Sequence, residues 1–369
     1  MHVSGPALAL ALGAAALLAA PARAKDKAPK DKAPYALSKT YDTTNFFTEF
    51  DFFTGPDPTH GFVEYVDGPT AQKQALAGIA QSRIGNSSTV IMGVDYETPN
   101  PPNGRRSVRV SSRDSFNHGL FVADIVHMPG SICGVWPAFW MFGPNWPASG
   151  EIDIIEGVNT QATDTVTLHT SPGCSVSNAG ALASTVVKSS DCNSGNANGG
   201  CGQQTADEHN YGDGFNRAGG GVYATEWTSD HIAVWFFQRA AIPRDLAAAR
   251  PDPASWGPPL ARFAGGQGCD IDSHFVNNQL VFDITLCGDW AGNPSVWAAD
   301  PTCSAKAATC AKDVANNPAD FKDAFWEIHS VKVYQPPAAG KRAQPATAAT
   351  AAAGPTRRAP RRTPRSRSL

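Results

Sequence analysis

The 369 residues are 42% hydrophobic and only 17% charged, with 34 glycines and 29 prolines. That is ample for a sizeable core, in one large domain or two small ones, with frequent turns. Residues 35–336 carry 17 basic against 31 acidic groups, a net −14, whereas residues 337–369 hold eight basic groups and no acid. So acidic a body argues against nucleic acid as a partner and is compatible with a neutral polymer.

In chain order, an apolar run from Ala7 to Ala20 ends in Pro21-Ala22-Arg23-Ala24. This small-x-small pattern predicts a signal peptide over 1–24, cleaved before Lys25 and directing secretion. The alternative is a membrane anchor, but the run is short of the roughly 20 apolar residues that a span needs. No later segment is apolar enough to cross a bilayer. Residues 25–36 repeat KDKAP and read as a charged linker, 37–335 as the folded body, and 336–369 as a disordered Pro/Ala/Arg-rich tail. A solvated extension and a wall- or polyanion-binding arm are both open readings of that tail.

The body reads as all-β. Short β-branched or alternating runs occur at 107–110, 119–125, 151–155, 165–169, 231–237, 280–285 and 326–334, separated by Gly, Pro, Asn or Asp. Short helices are expected only at 243–250 and 319–324. So many strands in one body predict a β-sandwich or barrel. Eight cysteines without zinc-type spacing read as disulfides, in keeping with secretion. Their connectivity is open, with Cys192–Cys201 and Cys303–Cys310 as local candidates. One glycosylation sequon stands at Asn86-Ser87-Ser88.

The most informative segment is Gly150-Glu151-Ile152-Asp153-Ile154-Ile155-Glu156-Gly157. On a regular strand Glu151 and Asp153 share a face, and Glu156, five positions on, points the other way with the isoleucines. An unpaired carboxylate in the core is costly. A one-residue bulge at the Ile154-Ile155 doublet returns Glu156 to the face of the other two acids. Three crowded carboxyls do not all ionise easily, so at least one should hold its proton near working pH, as a general acid must. A calcium site and a solvated acidic strand are the competing readings.

Upstream runs Gly134-Val135-Trp136-Pro137-Ala138-Phe139-Trp140-Met141-Phe142-Gly143-Pro144-Asn145-Trp146. Tryptophans this close to the acids suit the packing of sugar CH faces on flat rings. Trp136 is expected in the core and Trp146 in the cleft, while Trp140 is open. Trp290 follows a strand as a further wall candidate. No GxSxG elbow, HExxH, P-loop or GxGxxG occurs, and the histidines lack ligand spacing. No metal or cofactor is expected.

With GVWPAFWMFGPNWPASGEIDIIEGVN (134–159), VTLHT (166–170), HGLFVADIVHMPGSICG (118–134), FDITLCGDWAG (282–292) and FFTGPDPTHGFVEYVD (52–67), the chain resembles glycoside hydrolase family 16, specifically laminarinase-like endo-1,3(4)-β-glucanases. The resemblance spans nearly all of 40–335. It implies a concanavalin-like β-jelly-roll sandwich with a concave substrate cleft. It also implies retaining endo-hydrolysis of β-1,3 or mixed β-1,3/1,4-glucan by a monomer. It assigns Glu151 as nucleophile, Glu156 as acid/base and Asp153 as their assistant. His169 resembles a cleft residue near the acid/base, and Arg109, Trp140, Trp146 and Trp290 match positions lining the glycone side. The Ala/Pro-rich stretch 239–265 and the basic tail depart from the family pattern. Two competing functions remain. One is a wall-remodelling glucan transglycosylase, disfavoured because relatives of that type carry an unbulged ExDxE. The other is a non-catalytic glucan-binding protein, which loss of a carboxylate would mark.

Overall fold

Alternating apolar runs hide one face of each strand and force strands to pair and stack into layers. The computed structural model of the chain describes residues 35–195 and 199–336. The expected signal peptide, all but the last two residues of the linker and nearly all of the tail lie outside them.

Two antiparallel sheets of eight strands face each other. The first runs Ala261–Ala264, His231–Gln238, Gly221–Trp227, Gly119–His127, Phe325–Gln335, Ser88–Gly93, Ala77–Gln81, with Ala36–Tyr41 also pairing on Phe325–Gln335. The second runs Val186–Val187, Cys201–Gln204, Thr165–His169, Glu151–Glu156, Val135–Phe142, Asn278–Leu286, Arg109–Phe116, Phe50–Phe52. This is the predicted jelly-roll sandwich.

Side chains of one parity from the second sheet meet the first sheet and form the core. Phe139 stacks on Phe282 at 4.3 Å, and Phe282 meets Trp326 of the opposite sheet edge-on at 5.5 Å. A smaller apolar cluster, including Leu120, Val222, Trp235 and Tyr334, covers the outer face of the first sheet. The stretch 239–265 packs there through Leu246 and Trp256. Its prolines break it into a 3₁₀ turn (Arg239–Ala241), a one-turn helix (Arg244–Ala247), a second 3₁₀ turn (Pro253–Ser255) and the edge strand Ala261–Ala264.

The expected helix near 243–250 is thus a single turn, and the one at 319–324 is the 3₁₀ segment Pro318–Asp323. Four further short helices fill 288–316. Three of them start at capping side chains, Asn293, Asp300 and Thr309, and the first two of these caps precede a proline suited to a helix's first turn.

Four disulfides are present: Cys133–Cys303, Cys174–Cys269, Cys192–Cys201 and Cys287–Cys310. Cys192–Cys201 is as expected, but Cys303 and Cys310 do not pair. They sit on successive helices, and each reaches a different strand end. Cys133 precedes Val135–Phe142, and Cys287 follows Asn278–Leu286. The helical segment is thereby clamped to two adjacent strands, the fifth and sixth of the second sheet.

Candidate active site

The predicted bulge is in place. Against Val135–Phe142, Glu151 pairs with Phe142, Asp153 with Trp140, and Glu156 with Ala138, with the register slipping between Asp153 and Ile155. Phe142, Trp140 and Ala138 share one parity and hence one face, so all three acids emerge beside them. Ile152, Ile154 and Ile155 are fully buried behind. Glycines bracket the strand because neighbours leave no room. A Cβ on Gly150, which also has φ of 72°, would lie 2.4 Å from the Phe275 ring, and one on Gly157 would lie 2.7 Å from the Tyr211 ring.

These acids line a cleft of about 360 Å³ whose walls include Trp136, Trp140, Trp146 and Arg109. Trp146 is 54% exposed, in the cleft as expected. Trp136 is not a core residue. It is partly exposed, lines the cleft, and its Nε1 donates to Glu156 Oε1 at 2.9 Å. Strand parity explains this, since Trp136 lies four residues from Trp140 and two from Ala138. Trp290 is absent from the cleft wall and supports it from behind, edge-on to Trp136 at 5.5 Å.

His169 is the cross-strand partner of Glu151. Its Nε2 lies 3.0 Å from Asp153 Oδ2 and 3.9 Å from Glu151 Oε1, and its Nδ1 faces the Gly199 carbonyl. It therefore adjoins the Glu151 end of the strand. Arg109 is 7% exposed, its guanidinium 4.9 Å from the ring centres of both Phe53 and Trp140, and its Nη1 is 4.0 Å from Asp283 Oδ2.

The electrostatics separate the acids. Burial pushes Glu156 up to about 7, against the Trp136 hydrogen bond and the His169 charge, with Glu151 adding to the rise. Asp153 is driven well above the carboxylate range by burial and by its two glutamate neighbours, with His169 opposing. Burial lowers His169, but the hydrogen bond and charge of Asp153, with Glu151 and Glu156, outweigh it and raise the imidazole to about 10. Such a set can hold a proton on Glu156 while His169 and Asp153 share charge beside Glu151.

Three carboxyls escaped the sequence reading. Asp283 lines the cleft from Asn278–Leu286 and is lifted to about 7 by burial, against Arg109, with Asp57 and Glu156 adding. Asp57 lies opposite, its Oδ2 accepting from Thr285 Oγ1 and Gly61 N. Asp164 sits behind the bulge, its Oδ1 accepting from Glu156 N at 2.9 Å. Each is a lone acid in an apolar or loop context, and only the parity of Asp283 with Thr285 was legible. Glu151, Asp153 and His169 also lie close enough to offer atoms to a metal.

Residues 50–334 match the family model described as "XgeA-like, catalytic GH16 domain". A protein of Aspergillus fumigatus named probable endo-1,3(4)-beta-glucanase is 44% identical over 82% of this chain and 45% of its own length. The endo-1,3(4)-beta-glucanase of Arthroderma benhamiae is 42% identical over 82% and 65%, respectively. The chain spans about half the length of the first of these relatives. Among solved structures, an elongating family 16 β-1,3-glucosyltransferase is 41% identical with a TM-score of 0.74, and laminarinase 16A from Phanerochaete chrysosporium is 38% identical with a TM-score of 0.75. Each covers 82% of this chain and is itself covered in full. The chain belongs to glycoside hydrolase family 16.

Proposed function

We propose that the protein is a retaining endo-β-glucanase acting on β-1,3 or mixed β-1,3/1,4-glucan. The observation that carries this is the bulged strand, which presents Glu151 and Glu156 on one face with Glu156 held near 7. Protonated Glu156 donates to the glycosidic oxygen as Glu151 attacks the anomeric carbon, giving a glycosyl-enzyme and a departing sugar whose former glycosidic oxygen is now a free hydroxyl at a new non-reducing end. Glu156, now ionised, takes a proton from the incoming water, which displaces Glu151 and restores both carboxyls. His169, paired with Asp153, places positive charge beside the nucleophile, and Trp136 orients the acid. Trp140, Trp146 and Arg109 hold the sugar. The whole set lies within one chain, which fits action as a monomer.

Four disulfides fit an oxidising, extracytoplasmic setting. Among the described residues, no helix is long and apolar enough to cross a membrane.

The likeness to a β-1,3-glucosyltransferase supports transfer as a second reading. Both readings share the glycosyl-enzyme and differ in whether water or a sugar hydroxyl accepts from it. Incubation with laminarin, barley mixed-linkage glucan, lichenan and cellulose tests both, with proton NMR of the new anomers. Short β-anomeric products from the first three and none from cellulose support the hydrolase. Products longer than the starting oligosaccharide support transfer. Binding without any product supports the lectin-like alternative and rejects both.

A further inference from the structure

A second cavity, of about 370 Å³, shares no wall residue with the cleft. It opens at the edge of the first sheet. The edge strand Ala261–Ala264 pairs only with His231–Val234, so past Val234 the strand His231–Gln238 has no strand partner on that side. The cavity sits over that bare edge, walled by residues from 182–184, 205–210 and 256–260.

Its aromatic wall is fixed in place. Trp256 meets Trp235 and Phe237 edge-on, both at 5.4 Å. Both indole N–H groups are tied down, Trp235 Nε1 to the Gly257 carbonyl at 2.9 Å and Trp256 Nε1 to Asp245 Oδ2 at 2.7 Å. Rings held this way lose little freedom when a ligand arrives. The other side carries buried Thr205 and Asn210, which hydrogen-bond to each other, and exposed Asp207, whose carboxylate pairs with His209 at 2.9 Å.

The lining contains no Lys, Arg or His, and Asp207 is its one charge. That disfavours phosphates, carboxylates and other anions. Fixed aromatic surface, the exposed carboxylate of Asp207 and an unpaired strand edge together match a neutral polyhydroxylated ring, whose CH face packs on the rings while its hydroxyls meet the carboxylate and the edge. The cavity is as large as the catalytic cleft and uses the same combination of tryptophan and carboxylate. Its aromatic wall includes Trp256 from the Ala/Pro-rich stretch 239–265.

We propose that this cavity is a second, non-catalytic binding site for a β-glucan segment, holding the enzyme on polymer while the cleft cuts. The proposal rests on the reading of the cleft as glucan-cleaving. The test uses the full chain and two probes, laminarihexaose by titration calorimetry and insoluble β-1,3-glucan by depletion. The Glu151→Gln variant should bind two equivalents of laminarihexaose, and Glu151→Gln with Trp256→Ala only one. In the active enzyme, Trp256→Ala should leave kcat/KM on laminarihexaose within about twofold while weakening adsorption to insoluble glucan by about fivefold or more. Asp207→Ala, at an exposed position, should weaken adsorption in the same direction and covers the case of a misfolded tryptophan variant. One equivalent in Glu151→Gln, with adsorption unchanged in both variants, overturns the second site and leaves the cleft reading intact. No binding at all overturns both.

Discussion

Trp136 Nε1 donates a hydrogen bond of 2.9 Å to Glu156 Oε1. That bond favours the carboxylate form and works against the burial that lifts Glu156 to about 7. Glu156 must carry its proton to act as an acid, so activity should be present below about pH 7 and fall as pH rises through that value. Removing the donor raises the pKa further. Trp136→Phe should therefore move the basic limb of kcat/KM to higher pH by about half a unit to one unit. It should also lower kcat through lost orientation. A basic limb that stays in place contradicts this role.

His169 acts on the same limb from the other side. Its charge lowers Glu156 and Asp153. The imidazole is held at about 10, so it stays cationic across the working range and loses its proton only as pH rises through that value. His169→Asn should move the basic limb upward, as Trp136→Phe does. Because each partner's shift depends on the other, Asp153→Asn should bring the His169 imidazole down, which the His169 ring resonances in an NMR titration would report.

The bulge makes a geometric prediction. Deleting Ile154 converts Glu-x-Asp-x-x-Glu into Glu-x-Asp-x-Glu, which on a regular strand still has all three acids on one face. That variant should keep measurable hydrolysis, with a lower melting temperature from the loss of a fully buried isoleucine. Deleting both Ile154 and Ile155 leaves the second glutamate at an odd spacing, which on a regular strand turns the acid toward the core and should cost about 10² or more in kcat. Equal losses in the two variants would reject the parity argument.

Asp283 lies 4.0 Å from Arg109 in the cleft. At about 7 it changes charge in the working range, facing Arg109, Asp57 and Glu156. Its charged form pairs with Arg109, so Asp283→Asn should alter KM several-fold, leave kcat within about threefold and flatten the dependence of KM on pH near 7. KM and kcat measured across neutral pH separate this from a purely structural loss, which would lower both without changing the profile.

Much of the fold was legible because period-two alternation survives in the sequence, and the strands at 119–125, 231–237 and 326–334 were plain. The bulge was legible for a local reason: Glu156 at odd spacing had no affordable place in the core. Trp136 was misplaced because a tryptophan among Val135, Pro137 and Phe139 looks buried unless its parity is tied to Trp140. The helices at 288–316 were missed because each is too short to show a 3.6-residue period, although the Asn293-Pro294 and Asp300-Pro301 pairs marked two of their starts. Cys133–Cys303 was not legible at all, since its partners are 170 residues apart and meet only in the folded chain.

Catalysis is assigned to Glu151 as nucleophile and Glu156 as acid/base. Incubation with a 2-deoxy-2-fluoro laminaribiosyl fluoride traps a glycosyl-enzyme, and peptide mass spectrometry locates it. Under that assignment one adduct forms, on Glu151, with Glu156 unmodified and turnover of laminarin blocked. An adduct on Glu156 or on Asp153, or no adduct in a preparation that hydrolyses laminarin, would contradict it.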